Sequence, residues 1–203
     1  PAGTATLEVT PGAAGRTLAH SVVTLSGSGA GPSIVVQATT ATLTDEAPDY
    51  FSAPAPSIPP PDECVDLSAR LQPDRSKRPG LSRHIDTRLD PATAGWTVGE
   101  PGDEPLLRAW IRFVDERPAD PVSLLTFADV LPPLGFSIGQ RGWAPTVQLQ
   151  VLVRGVPAPG WCLAETRAVQ IAGGWIDEDC TIWDSEGALV AQARQLARLS
   201  RGR

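Results

Sequence analysis

The sequence predicts an α+β fold in which a long antiparallel sheet wraps around a central helix. Three observations carry this prediction. Between Thr146 and Leu199 four strand-like segments follow one another, separated by short turns rich in Gly, Pro and Asp. Ahead of them a single segment carries helix start and stop signals, from Asp120 to Pro132-Pro133. A Pro-rich, acidic stretch sets this half apart from an all-strand segment at the start of the chain.

In order, Thr4 to Val9, Arg16 to Leu25 and Ser33 to Leu43 read as strands, parted by Gly-rich turns over Gly12 to Gly15 and Gly27 to Gly31. Residues 46–80, with Pro54, Pro56, Pro59, Pro60 and Pro61, read as an extended linker, because proline fixes φ and restricts the residue before it. Two further strands are expected over His84 to Leu89 and Leu106 to Phe113. In the second, Leu107, Ala109, Ile111 and Phe113 alternate with Arg108, Trp110 and Arg112, so one face is buried and the other wet. The helix follows: Asp120 as N-cap, Pro121 at the first helical position, and Leu124, Leu125, Ala128 and Leu131 on one face, for about three turns. The last strands are Thr146 to Arg154, Trp161 to Ala172, Trp175 to Trp183 and Ala188 to Leu199. Val36-Gln37-Ala38 echoes Ala191-Gln192-Ala193. On that echo residues 1–45 are a partial copy of the second half, whose own helix would precede Pro1.

Composition narrows the function classes. The 203 residues suffice for a sizeable core, and 41% hydrophobic with 20% charged residues is ordinary for a globular chain. The net charge of -6 is spread along the sequence without a basic stripe, which argues against a nucleic-acid partner. No apolar run approaches the roughly 20 residues of a membrane span, and the start of the chain does not have the pattern of a signal peptide, so a cytoplasmic location is the default expectation. Cys64, Cys162 and Cys180 are odd in number and lack CxxC spacing, and His20 and His84 stand alone, so neither a disulfide framework nor a zinc site is expected. The chain begins at Pro and has no Met, which reads as a fragment or processed product.

The order strand, strand, helix with Phe127-Ala128-Asp129, then four antiparallel strands resembles the C-terminal hot-dog domain of the acyl-CoA thioesterase II-like double hot-dog family, from about His84 to Leu199. The resemblance implies a hot-dog fold over residues 81–203, with residues 1–45 as a truncated first copy. It also implies hydrolysis of acyl-CoA thioesters by an Asp at the central helix, a Thr opening the next strand and a Gln in the last strand. The matching residues are Asp129, Thr146 in Pro145-Thr146-Val147, and Gln195 in Ala193-Arg194-Gln195. No cofactor is expected, and a homo-oligomer is, because hot-dog domains pair through sheet edges and an isolated half would leave long strands such as Trp161 to Ala172 unpaired.

The residue types suit the chemistry. A thioester needs an activated water and a donor for the developing oxyanion, whereas a thiol of pKa about 8.5 departs without a general acid. Asp129, late in its helix, is expected to have a raised proton affinity from the helix's negative end and from partial burial. Thr146 shares strand parity with Gln148 and Gln150, the side expected to be solvated, and its hydroxyl would bond the water or Asp129. Gln195 shares parity with Leu189, Ala191, Ala193, Ala197 and Leu199 and is the polar group on that strand's apolar side. In the proposed repeat the equivalent position is Thr40, without a carboxamide. One or two of Trp96, Trp110, Trp143, Trp161, Trp175 and Trp183 would line an acyl tunnel. Neither histidine lies where a hydratase of this fold would need one, and no GxSxG elbow is present. The competing expectation is a non-catalytic acyl-CoA-binding or assembly protein.

Overall fold

The computed structural model describes residues 4–27, 31–44, 46–77 and 80–199. They fall into two compact units, meeting in sequence at Glu46 and Ala47. The first is an antiparallel meander of β1 (Thr6–Ala14), β2 (Leu18–Ser26) and β3 (Ile34–Ala41), in the order β1-β2-β3. The three expected strands are present, although β1 runs through Gly12 instead of ending before it. An irregularity between Pro11 and Ala14 absorbs the extra length, and a Cβ at Gly12 would crowd the His20 carbonyl at 3.1 Å. His20 and Thr39, paired across β2 and β3, bond through Nδ1 and Oγ1 at 3.0 Å. The expected turn over 27–31 lies largely outside the described residues.

The second unit is built on a seven-stranded antiparallel sheet in the order β4-β5-β6-β8-β9-β10-β7. Its strands are β4 (Val65–Asp66), β5 (Ile85–Leu89), β6 (Leu106–Phe113), β7 (Thr146–Val153), β8 (Cys162–Ala172), β9 (Trp175–Trp183) and β10 (Leu189–Arg198). Strand β6 has the burial alternation its sequence predicts, with Leu107, Ala109, Ile111 and Phe113 buried. Between β8 and β9, Gly173 and Gly174 both have positive φ, at 58° and 80°, the backbone of a tight hairpin that continues the twist of its strands. Among its described residues are two α-helices, α1 (Leu67–Leu71) and α2 (Ser123–Phe127), besides short 3-10 turns. Leu124 and Phe127 of α2 are fully buried against the sheet, and the Phe127 ring lies 5.0 Å from that of Phe113. This is the α+β hot-dog arrangement, with the core between one sheet face and the helix. Among the described residues no helix is long and apolar enough to cross a membrane.

Three expectations are corrected. The helix spans five residues rather than three turns. Asp120 does tie down its start, accepting the Ser123 N–H at 2.7 Å, but the Asp129 N–H turns to Thr126 in a tightened last turn. Pro132 and Pro133 have no N–H to offer, and Leu131 before them is biased away from the helical region, so the ladder cannot propagate. Leu125, expected on the packed face, is exposed. Second, the stretch expected as a linker over 46–80 is not a free connector. Its described residues include β4 and α1, and the stretch before β4 is fastened to the sheet: Trp183 Nε1 donates to the Ala53 carbonyl and Trp110 Nε1 to that of Pro59, each at 2.8 Å. The prolines do exclude strand and helix from 47–60, yet an extended chain presents its carbonyls outward, where an indole can take them. Third, β8 is paired on both sides, by β6 and β9; in this seven-stranded sheet the long strand at an edge is β7.

Candidate functional site

Asp129 stands just beyond α2, Thr146 opens β7, and Gln195 lies in β10. The fold brings all three together. Gln195 Nε2 donates to Asp129 Oδ1 at 3.0 Å and to Thr146 Oγ1 at 2.5 Å, and Thr146 Oγ1 donates to the same Asp129 oxygen at 3.2 Å. Gln195 is half-buried and points inward, as its strand parity predicts.

The position of Thr146 does not follow from parity. The β10–β7 ladder runs in step from Ala191↔Val153 to Leu196↔Gln148 and then skips Val147, so that Thr146 pairs with Ala197. Cross-strand partners share a face, and Ala197 is buried. The irregularity at Val147 therefore turns Thr146 away from the side of Gln148 and Gln150 and toward Asp129, while Val147 itself is exposed.

These residues line a cleft of about 60 Å³ that also takes in Trp143, Thr166 and Glu178. Of the six tryptophans only Trp143 lines it. Trp96 packs into the core beside Phe136, while Trp161 and Trp175 stack under Arg112 and Arg198. His84 is not among its lining residues.

Glu178 and Thr166 are the cleft residues that sequence reasoning missed. Glu178 is 7% exposed in β9, where it pairs with Gln195 of β10 and Ala168 of β8. The signal was present: in Ile176, Glu178, Cys180, Ile182 one carboxylate interrupts an otherwise apolar parity. Thr166 pairs with Cys180, and its side chain hydrogen-bonds the Cys180 sulfur.

Burial shapes the electrostatics. Desolvation raises the Asp129 pKa above the ordinary carboxylate value, and the Thr146 hydrogen bond partly opposes it. Asp129 still exposes surface as a residue, and the walls of the cleft it lines are what desolvate it. Desolvation is the raising cause. Glu178 is pushed up to about 7, chiefly by desolvation, with the Leu134 backbone N–H lowering and the Asp129 charge raising it.

A family model for the acyl-CoA thioesterase C-terminal domain matches residues 61–199. Among curated relatives, uncharacterised proteins of Mycobacterium tuberculosis and Mycobacterium bovis are 38% identical over 96 residues, which is 47% of this chain and 33% of theirs. The chain thus matches about a third of the length of those relatives. Among solved structures, a protein of Thermobifida fusca provisionally assigned as a thioesterase II superposes with a TM-score of 0.81 at 30% identity, over 97% of this chain and 73% of that one. An acyl-CoA thioesterase II of Mycobacterium marinum shares the fold, with a TM-score of 0.70 at 18% identity over 97% and 73% of the two chains. With more than half of its residues covered by the family model, the chain belongs to the acyl-CoA thioesterase family of the thioesterase II type, its residues 61–199 matching that family's C-terminal domain.

Proposed function

We propose that the protein hydrolyses acyl-CoA thioesters to free acid and CoA, with Asp129 activating the water and Thr146 and Gln195 orienting the site. The observation that carries this reading is the convergence of the three side chains on one carboxylate oxygen from three separate elements. Both donors address Oδ1, which leaves Oδ2 to receive a proton from water. A carboxylate whose proton affinity is raised by desolvation is a stronger base than a solvated one. The thiol leaves as thiolate, so the leaving group needs no general acid. The reading needs no cofactor and suits a cytoplasmic enzyme.

The cleft's volume of about 60 Å³ favours a second reading that the same experiment separates. It admits water but falls well short of the several hundred Å³ typical of small-molecule sites. A non-catalytic chain that binds acyl-CoA or serves in an assembly would have such a cleft and show no turnover. Thiol release is measured against a panel of acyl-CoAs. The catalytic reading expects turnover that Asp129→Asn lowers by at least about a hundredfold, with an unchanged circular dichroism spectrum. Saturable binding without turnover would establish the second reading, and near-normal turnover in Asp129→Asn would remove Asp129 from the mechanism.

A further inference from the structure

We propose that Glu178 is a further catalytic residue of the cleft, its carboxylic acid O–H donating to the thioester carbonyl oxygen as that oxygen becomes an oxyanion. The inference rests on the thioesterase reading above and adds to it the donor that the Asp129, Thr146 and Gln195 cluster does not supply. Thr146 and Gln195 both direct their hydrogen bonds to groups within the cluster. A developing oxyanion needs a donor of its own, held in place and aimed into the cavity.

Glu178 has that placement. The β9–β10 register sets it directly beside Gln195, it is buried to 7% exposure, and it lines the same cavity as Asp129. The backbone N–H of Leu134 hydrogen-bonds its carboxyl. No cation faces it. From β10 it meets Gln195, and from β8 Ala168, with Thr166 along the same strand; on its own strand the neighbour of the same parity is Cys180, and from the segment after α2 comes Asp129. Asp177 and Asp179 have the opposite parity and pair with Arg194, and Glu165 pairs with Arg108 and Arg167. A buried carboxyl with an anion and no cation beside it holds its proton, and a protonated carboxyl is a donor.

The step balances as follows. Water oxygen bonds to the carbonyl carbon while Asp129 takes one water proton, and the carbonyl π pair moves onto oxygen, where the Glu178 O–H binds it. When that pair re-forms the carbonyl, the C–S bond breaks, sulfur leaves with its electrons, and Asp129 returns its proton to the sulfur or to solvent. The proton on Glu178 is never transferred.

The pH profile of thioester turnover tests this in the intact chain. Turnover should rise through the Asp129 titration and fall through about 7, as Glu178 ionises and places a second negative charge beside the oxyanion. Glu178→Gln keeps an N–H donor that does not titrate. It should lower the rate at pH 6 by roughly threefold to tenfold and abolish the descending limb, whereas Glu178→Val should lose about a hundredfold or more at every pH. Carboxyl infrared bands, read without substrate, should show one acid titrating near 7 that is missing in both variants. A descending limb retained in Glu178→Gln, or Glu178→Val with near-normal turnover, would overturn the proposal and leave the thioesterase reading standing. No turnover by the unmodified protein would overturn both.

Discussion

Thr146 reaches Asp129 because Val147 is surplus to the β10–β7 ladder. Remove that surplus, and strand parity would return the hydroxyl to the solvated side with Gln148 and Gln150. Gln195 needs no such device, since its parity already directs it inward to a site where its amide has two acceptors. Gln195→Leu should therefore keep or raise the melting temperature, because an apolar side chain suits the face occupied by Ala191, Ala193 and Ala197. It should also reduce turnover sharply. The remaining activity should need a higher pH, because Asp129 loses a hydrogen bond that favours its charged form. A large fall in melting temperature with normal turnover per folded molecule would make Gln195 a core residue only. Asp129, Thr146 and Gln195 were singled out by the family resemblance, and strand parity by itself foretold only the inward turn of Gln195 toward the place where the three side chains meet. The bulge was not legible, since the extra residue is defined only by what pairs opposite it. Glu178 was legible in principle, as the one charged residue at a buried parity of β9.

At the scale of elements, alternation read well and proline read incompletely. Strands β6 and β9 have the bounds their sequences predict, because a half-buried strand announces each residue's face. The Pro-rich stretch announces only that it makes no ladder. Its attachment depends on Trp110 and Trp183, far along the chain, whose positions on β6 and β9 could be placed but whose partners could not. Each indole hydrogen bond contributes about 1 kcal/mol net. Replacing both tryptophans by Phe should therefore lower stability by roughly 1 to 3 kcal/mol. The sharper readout is limited proteolysis, in which cleavage between residues 47 and 60 should accelerate well before the rest of the unit is attacked. An unchanged cleavage rate there would show that packing, not these two bonds, holds the segment.

For the whole molecule, the buried acids set how stability depends on pH. Glu178 holds its proton in the folded state up to about 7 and releases it near 4.5 when unfolded. Between those values the folded state binds the extra proton, so stability falls as pH rises, by on the order of 3 kcal/mol across the window. Asp129 acts in the same direction, and Cys162 and Cys180, pushed up to about 12, extend the loss above pH 9. Urea unfolding at pH 5 and pH 8 should show the drop, and Glu178→Gln should flatten it. Assembly is a second expectation at this scale: β7 offers its outer edge to another chain, and light scattering at micromolar concentration should give a mass above one chain. The tryptophan fastening has a consequence for how this sequence can drift. Both indoles grip main-chain carbonyls, which every amino acid possesses, so the chemical identity of residues 53 and 59 is invisible to them. What the sheet senses is contour length, as a ruler does. Exchanging Ala53 for Ser should pass unnoticed, whereas deleting a single residue within 54–58 should unseat one indole.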